Sequence, residues 1–382
     1  MGQFHGVELD DVEITGERLT LRRWRPDDAA DVLAVMQDRS MYEFLALPDP
    51  YTRAVAELYV TELGHEGRGA GSGIGSAVVE RATGRLVGSA ALRLGPTDAD
   101  VGYWIAPTAR GHGYAAEAVR ILTAWAFRHG VNRVSLECDV RNIASARTAM
   151  AAGFRYEGIS RYPSPTSVNG PGRQPGTATR HADRAQFARL ADDPDDPVAP
   201  VVAPLPRAGL DDGVLRLRTL RAEDATALAE TDDELTLRWG FDGRAHSLEE
   251  AQHTAAQAAL KWLVGGTATF AMVDVASGDL AGVLNLRQAG PPQIGGVGYV
   301  VHPRFRGRGY TTRALRLLIP WAFDTADFAR LELGAKVGNE ASQRVALAAG
   351  FEPDGVRRRR MRNPDGTFTD EARFALVNPR YA

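Results

Sequence analysis

Two stretches decide the fold of this 382-residue chain: Arg110-Gly111-His112-Gly113-Tyr114 and Arg304-Phe305-Arg306-Gly307-Arg308-Gly309-Tyr310. Each follows a predicted strand and opens a segment whose apolar residues recur at helical spacing. A strand, a turn with two glycines and a helix bring successive backbone N–H groups to the positive end of a helix dipole. The pattern therefore predicts a site for a phosphate or pyrophosphate, and its alternative interpretation is a simple tight turn.

The two stretches belong to a repeat that runs through the whole sequence. Leu19-Thr20-Leu21-Arg22 returns as Leu215-Arg216-Leu217-Arg218, and Val101-Gly102-Tyr103 returns as Val297-Gly298-Tyr299. Repetition of both motifs at one interval indicates that a single structural unit occurs twice.

The repeat predicts two homologous domains. Their boundaries are residues 10–191 and 212–382, and an Asp/Pro/Ala-rich segment over residues 192–211 reads as a semi-rigid extended linker. The first copy also carries a Pro- and Gly-rich insert over residues 163–179.

Within each copy, strands alternate with helical segments. The predicted hairpins cover residues 76–80 and 86–94 in the first copy, and residues 269–275 and 280–286 in the second. Strands interleaved with helices predict the α/β class, here a mixed sheet flanked by helices in each of two tandem domains. The glycine-rich segment over residues 64–75 follows a helical stretch and is predicted to be a loop.

Composition excludes several classes of protein. A net charge of −3 argues against a nucleic-acid binder, and no apolar run is long enough for a membrane helix. The N-terminus lacks the pattern of a secretory signal, so we expect a cytoplasmic protein without a membrane partner. The single cysteine, Cys138, lies in an apolar run and reads as a buried strand thiol, and the eight histidines are scattered, so no metal site is predicted.

Further motifs lie downstream of each glycine stretch. Asn142-Ile143-Ala144-Ser145 and Asn339-Glu340-Ala341-Ser342 open a helix, and a Gly-Phe pair follows at a similar distance in both copies. With the glycine stretches, these motifs resemble the GNAT superfamily of acyl-CoA-dependent N-acyltransferases. The Leu-x-Leu-Arg start and the Gly-Tyr motif make the chain most similar to the branch that includes ribosomal-protein N-terminal acetyltransferases.

The resemblance implies that acetyl-CoA or another acyl-CoA binds between two splayed parallel strands. Loop amides would hold the pyrophosphate, and backbone N–H groups near Ile105 or Val301 would polarise the thioester carbonyl. The first copy departs from the family pattern, since Thr108 stands where the second copy has Arg304. The residues implied in cofactor binding are Ile105, Arg110, Gly111, His112, Gly113, Tyr114 and Asn142 in the first copy, and Val301, Arg304, Arg306, Gly307, Arg308, Gly309, Tyr310 and Asn339 in the second.

The resemblance also implies a proton donor for the departing thiolate. Ser145 and Ser342 are similar to the serine that has this role in the ribosomal-protein branch, although serine and asparagine are also common helix N-caps. Ala149 and Ala346 stand where many family members have a tyrosine acid, so neither copy can use that acid.

Carboxylates near the splayed strands are the candidate bases. Asp100 precedes the Gly-Tyr motif, but its counterpart Gly296 cannot accept a proton. Glu137 and Glu332 lie on the second splayed strand, where a solvated or ion-paired surface role is the alternative. The first copy therefore has the better candidate base, and the second has the more complete pyrophosphate-binding loop. We expect that at least one copy has lost efficient catalysis.

The expected function is transfer of an acetyl or longer acyl group, by direct attack in a ternary complex, to a primary amine. The acceptor is a peptide or protein N-terminus or a small molecule, and the donor is a CoA or carrier-protein thioester.

Residues 357–360 are four consecutive arginines, which predict either a charged strand edge or a dock for an acidic acyl carrier protein. The alternative function is a non-catalytic acyl-CoA-binding scaffold with two decayed sites. Acceptor choice is expected to depend on segments that the copies do not share, residues 41–51, 163–179 and 235–246.

Overall fold

The computed structural model describes residues 3–9, 12–161, 183–240 and 244–381. The chain divides into two compact units, Met1–Ala199 and Pro200–Ala382. The predicted insert over residues 163–179 lies outside the described residues.

The first unit is a sheet of eight strands flanked by helices, with a small hairpin at its start. The sheet order is β3-β4-β5-β6-β7-β8-β10-β9. The elements are β1 (Gln3–Phe4), β2 (Val7–Glu8), β3 (Ile14–Thr15), β4 (Leu19–Arg22), α1 (Ala29–Met36), α2 (Arg53–Thr61), α3 (Glu66–Ala70), β5 (Gly73–Glu80), β6 (Leu86–Leu94), β7 (Asp98–Ile105), α4 (Tyr114–Arg128), β8 (Arg133–Asp139), α5 (Ile143–Ala151), β9 (Arg155–Ser160) and β10 (Arg184–Leu190).

The second unit repeats this plan. Its sheet also has eight strands, in the order β11-β12-β13-β14-β15-β16-β18-β17. The elements are β11 (Leu210–Asp211), β12 (Leu215–Thr219), α6 (Ala225–Ala229), α7 (Glu234–Trp239), α8 (Leu248–Val264), β13 (Thr267–Asp274), β14 (Leu280–Gln288), β15 (Ile294–Val301), α9 (Tyr310–Asp324), β16 (Arg330–Lys336), α10 (Glu340–Ala348), β17 (Glu352–Arg362) and β18 (Phe368–Val377). The predicted mixed α/β fold in two tandem domains is confirmed.

Each sheet contains one parallel pair of strands, and the pairing ends early. In the first unit β7 pairs with β8 only as far as Asp100 opposite Ser135, although β7 runs on to Ile105. In the second unit β15 pairs with β16 only as far as Val297 opposite Leu333. Because both strands continue beyond the last pair, each sheet opens into the gap that the resemblance implies.

The predicted linker is partly built into the second unit. Val202 is buried in the same core as Leu215, and the Trp262 indole N–H donates to the Ala203 carbonyl over 3.0 Å. The structured part of the second unit therefore begins ahead of residue 212.

The prediction of a loop over residues 64–75 is wrong. The segment forms α3 and the start of β5, and the Arg68 side chain is fully buried beneath it. The Arg68 guanidinium donates to the backbone carbonyls of Leu9, Val12 and Gly75. One buried arginine thus ties the glycine-rich segment to the chain at Leu9 and Val12.

Candidate active site

The glycine-rich loops have the geometry that the sequence predicts for an anion site. Gly307 and Gly309 adopt φ of 74° and 76°, a left-handed conformation that other residues adopt only with strain, and helix α9 begins directly after Gly309. A Cβ on either glycine would meet no atom within 4 Å, so the space in front of the helix is open. Gly111 and Gly113 repeat these left-handed angles before α4. Backbone N–H groups and a helix dipole therefore face an open space in the second unit. In the first unit the Arg18 guanidinium borders this space, since Arg18 Nη2 would lie 3.6 Å from a Cβ on Gly113.

The arginine before each glycine pair turns its side chain away from this space. Arg306 forms a bidentate ion pair with Asp233, at 2.6 and 2.7 Å, and donates to Thr236 Oγ1 over 2.9 Å. This ion pair holds the pKa of Asp233 well below its ordinary value. It also ties the start of α7 to the loop, so Arg306 acts as a positioning residue.

The first unit lacks that ion pair. The Arg110 guanidinium contacts Ser40 Oγ and Met41 Sδ, each at 3.1 Å, and Asp38 accepts a hydrogen bond from the Ser40 backbone N–H. The loop of the first unit is held instead by Arg18, whose guanidinium donates to the His112 carbonyl over 2.8 Å and pairs with Glu117 of α4 at 2.7 Å.

Other predicted loop residues also use their side chains within the protein. The Tyr310 hydroxyl donates to Asp274 over 3.1 Å, and the Tyr114 hydroxyl donates to Glu80 in the same way. His112 stacks on Tyr114, while Arg304 and Arg308 lie over the Phe305 ring. What these residues can offer a pyrophosphate is mainly their backbone N–H groups.

A tyrosine and a serine meet beside the gap in both units. The Tyr103 hydroxyl donates to Ser145 Oγ over 2.9 Å, and the Tyr299 and Ser342 hydroxyls lie 2.8 Å apart. Burial raises the pKa of both tyrosines, so both remain protonated at neutral pH. The predicted serines are thus joined by tyrosines that sequence reasoning missed as functional groups, although both belong to the repeated Gly-Tyr motif.

The asparagines of the same motif are helix N-caps. Asn142 Oδ1 accepts a hydrogen bond from the Ser145 backbone N–H over 3.1 Å, and Asn339 does the same for Ser342. The capping interpretation therefore describes the asparagine side chains, and it places each serine at the first turn of α5 or α10.

The candidate bases lie in different environments. Asp100 is bonded to Arg93, and burial raises its pKa, with a further rise from the nearby charge of Glu137. Glu332 is bonded to Arg330 and Arg373, and although burial alone would raise its pKa, these arginines lower it. The contacts argue against Glu332 as a base, because a carboxylate held by two guanidinium groups is a poor proton acceptor.

The strand register shows that Glu137 and Glu332 do not occupy corresponding positions in the two units. Glu332 lies opposite Gly296 as Ser135 lies opposite Asp100, so Glu332 is the counterpart of Ser135 and not of Glu137. The counterpart of Glu137 is Gly334, where any Cβ would collide with the Glu371 carboxylate. The glutamates therefore occupy non-equivalent positions.

Cys138 has the structural role that its sequence context suggested. Its thiol is buried, and burial raises its pKa to about 11, so the reactive thiolate is scarce at neutral pH.

A cavity of about 900 Å³ in the second unit brings many of the predicted residues together. It contacts both the glycine loop and the gap between β15 and β16. Arg304, Arg308 and Glu332 are not part of its wall. The predicted residues that line it are Val301, Arg306, Gly307, Gly309, Tyr310, Asn339 and Ser342.

The same cavity has a polar wall that the sequence did not single out. Asp232 Oδ2 accepts hydrogen bonds from the His246 backbone N–H and lies 2.7 Å from His246 Nδ1. Arg244, which pairs with Glu250, and the exposed Arg287 also line it. Asp232 and His246 lie on the two segments that flank α7, and only folding brings them together.

The family model for the acetyltransferase (GNAT) domain matches the chain twice, over residues 18–155 and 215–352. The chain belongs to the GNAT acetyltransferase family. Each copy of the GNAT domain includes the glycine loop and the gap of its unit. Among the described residues, no helix is long and apolar enough to cross a bilayer, and no group of three or more metal-ligating side chains is found.

Individual relatives match shorter parts of this GNAT protein. It is 32% identical over 102 residues to a probable N-acetyltransferase YjcK of Bacillus subtilis (strain 168), covering 26% of this chain and 56% of that protein. It is 35% identical over 81 residues to a putative ribosomal N-acetyltransferase YdaF of the same organism, covering 21% of this chain and 41% of that protein. The match thus spans about half the length of these relatives.

Solved structures also resemble the GNAT units. A ribosomal-protein-S5-alanine acetyltransferase from Vibrio fischeri is 20% identical, with a TM-score of 0.41, over 45% of this chain and 97% of that chain. A putative ribosomal-protein-serine acetyltransferase from Vibrio cholerae is 22% identical, with a TM-score of 0.39, over 45% of this chain and 99% of that chain.

Adding one methyl group at Gly309 tests whether the glycine loop of the second unit binds CoA. Gly309→Ala is expected to weaken one CoA site of the full chain about tenfold, because alanine at φ of 76° costs about 1–2 kcal/mol. Calorimetric titration of CoA measures this. Gly290→Ala is the matched control, since Gly290 has φ of 79° and equally open space but lies outside the loop. Unchanged CoA affinity in Gly309→Ala, or an equal loss in the control, would contradict the assignment.

Proposed function

We propose that the second unit transfers an acetyl or longer acyl group from a CoA thioester to a primary amine by direct attack. The observation that carries the proposal is the Tyr299–Ser342 hydroxyl pair, which shares one cavity with the glycine loop and the open end of the parallel strands. A donor site, a gap for the pantetheine arm and a proton source are the three parts that this reaction needs.

Backbone groups of β15 would hold the pantetheine arm. Beyond Val297 this strand still pairs with β14 on one side but has no partner on the β16 side. Strand N–H and C=O groups without partners favour an extended ligand with amide groups, which can bind as a short additional strand. Loop amides at residues 306–310 would bind the pyrophosphate, and an N–H near Val301 would polarise the thioester carbonyl.

Ser342 and Tyr299 would supply the proton for the leaving group. In the proposed step the amine nitrogen bonds to the acyl carbon, the carbon–sulfur bond breaks, and the thiolate takes the Ser342 hydroxyl proton. Ser342 regains a proton from Tyr299 through their hydrogen bond while Tyr299 takes one up from solvent, so that no tyrosinate accumulates, as its raised pKa requires. The first unit has the same pair in Tyr103 and Ser145.

His246 is our candidate for the group that deprotonates the amine in the second unit. Gly296 offers no carboxylate there, and Glu332 is held by two arginines. Asp232 fixes the orientation of the His246 ring at the cavity wall, the arrangement found in many general bases. In the first unit, Asp100 with its raised pKa stays the candidate base.

The two units are proposed to differ in activity. In the second unit the Arg306–Asp233 ion pair holds the loop against a cavity that also contains the Tyr299–Ser342 pair. In the first unit the equivalent arginine, Arg110, contacts instead the uncharged side chains of Ser40 and Met41. We therefore infer that most turnover occurs in the second unit. The acceptor is a peptide or protein N-terminus or a small-molecule amine, and the name of the relative YdaF favours a protein amine.

Substitution of the two serines separates the units. Ser342→Ala is expected to lower kcat for thiol release from acetyl-CoA by about 10²-fold or more, because the thiolate loses its proton donor. Ser145→Ala, the matched change in the first unit, is expected to have a small effect. A panel of amines with detection of free thiol measures both. If the wild-type chain releases no thiol with any amine but binds acetyl-CoA, the scaffold function is correct instead.

The pH dependence tests His246. His246→Gln is expected to lower kcat/KM at pH 7, and the rate should approach that of the wild type as pH rises toward the pKa of the amine. Above that pKa the acceptor is already neutral and needs no base. An equal loss at every pH between 7 and about 10 would show that His246 has another role.

A carrier-protein donor remains a prediction that rests on the arginine run. Residues 357–360 lie on β17, the exposed edge of the sheet, and the next residue, Met361, lines the cavity. Arg358→Glu with Arg360→Glu is expected to reduce transfer from a carrier-bound acyl group by about tenfold while transfer from CoA is retained. Equal loss with both donors would reject the carrier dock.

A further inference from the structure

An arginine on the strand before the Gly-Tyr motif forms an ion pair in the first unit, and its counterpart in the second forms none with any residue that the structure describes. In the first unit Arg93 of β6 lies directly opposite Asp100 of β7, and the two form an ion pair. In the second unit Arg287 of β14 lies opposite Gly296 of β15 in the same register. Both units have the arginine, but only the first has a carboxylate on the residue opposite it.

Arg287 is unusual among the charged groups of the cavity. Arg244 pairs with Glu250 at 2.9 Å, Arg306 with Asp233 at 2.6 Å, and Arg344 with Glu340 at 3.4 Å. Within the part of the chain that the structure describes, no carboxylate pairs with Arg287. The cavity wall therefore carries one positive charge without a partner.

Gly296 and Arg287 both line the cavity. A Cβ at this position would lie 3.4 Å from Arg287 Nε and 3.2 Å from Ala289 Cβ. The φ angle of Gly296 is not left-handed, so backbone conformation does not demand glycine here. A side chain at position 296 would therefore crowd Ala289 and Arg287. With glycine there, the space for a ligand beside Arg287 is the cavity itself.

Another cross-strand pair shows a different kind of change. Asp139 lies opposite Arg184 in the first unit, and the corresponding residues of the second unit, Lys336 and Glu371, have exchanged signs. Both members changed there, and charge complementarity was retained. At Arg287 only the acidic member is absent, and the cation lines the cavity.

We propose that Arg287 binds a carboxylate of the acceptor, at the place where the Asp100 carboxylate binds Arg93 in the first unit. The inference rests on the proposed function and specifies its substrate class: amines that also carry a carboxylate, such as amino acids or peptides with an acidic group. A guanidinium favours a carboxylate through paired, charge-assisted hydrogen bonds. A carboxylate is favoured over a phosphate because the same strand position already accommodates one in the first unit.

Matched acceptors test this with the full chain. Glutamate, aspartate and the peptide Ser-Asp-Ala are compared with glutamine amide, asparagine amide and Ser-Asn-Ala amide, with phosphoethanolamine as an additional probe. Thiol release from acetyl-CoA gives kcat/KM for each probe. The wild type is expected to prefer the carboxylates by about tenfold or more, the usual worth of a charge-assisted contact.

Variants at the two positions show whether Arg287 causes the preference. Arg287→Gln should bring the ratio of acid to amide close to one. Gly296→Asp should do the same by restoring an internal partner, whereas the isosteric Gly296→Asn should keep more of the preference. Arg216→Gln, which changes an exposed arginine outside the cavity wall, is the control and should keep the wild-type ratio.

The possible outcomes distinguish failure of the carboxylate site at Arg287 from failure of the proposed acyl transfer. Equal rates for acids and amides in the wild type, or an unchanged ratio in Arg287→Gln, would overturn the carboxylate site while transfer itself stands. A stronger preference for phosphoethanolamine would overturn the choice of carboxylate. If no probe supports thiol release, the proposed function fails, and calorimetric titration of the acids in the presence of CoA then decides the inference. Binding to the wild type that Arg287→Gln loses supports it, and equal binding or none overturns it.

Discussion

The early end of the parallel ladder is the constraint on which the site depends. Parallel strands usually share a continuous row of hydrogen bonds, but β15 and β16 part after Val297 and Leu333. The gap leaves strand N–H and C=O groups without a sheet partner beside a cavity of about 900 Å³. The glycine loop follows β15, and α10 with Ser342 follows β16, so the divergence of two strands places the loop and the hydroxyl pair around one space.

Local sequence patterns predicted those parts of the site that local backbone geometry determines. The left-handed glycines, the helix that follows them and the serine in the first turn of α10 could all be inferred, because each depends on a few neighbouring residues. The internal repeat strengthened every such inference, since each pattern occurs twice.

Features that depend on distant residues could not be read from the sequence. The Arg306–Asp233 ion pair joins a loop to a helix that lies far away in the chain, and the sequence favoured only a role for Arg306 at the pyrophosphate. The register of β16 made Glu332 equivalent to Ser135, a fact that depends on strand pairing. Buried Arg68 likewise ties a glycine-rich segment to two distant carbonyls, those of Leu9 and Val12.

The duplication makes each unit a natural comparison for the other. Both keep the glycine loop, the tyrosine–serine pair and the capping asparagine, which are the parts of the proposed donor site. They differ where an acceptor would enter, in the Arg93–Asp100 pair and in the Asp232–His246 contact. One donor geometry with two different acceptor walls is what we expect when a duplicated transferase domain diverges.

A crystal structure of the full chain with CoA would show whether the gap between β15 and β16 is the donor site. We expect the pyrophosphate within about 3 Å of the N–H groups of residues 307–310 and the sulfur within reach of Ser342 Oγ. The pantetheine arm is expected between β15 and β16. Density for CoA in the first unit alone, or a sulfur remote from Ser342 in the second, would contradict this expectation.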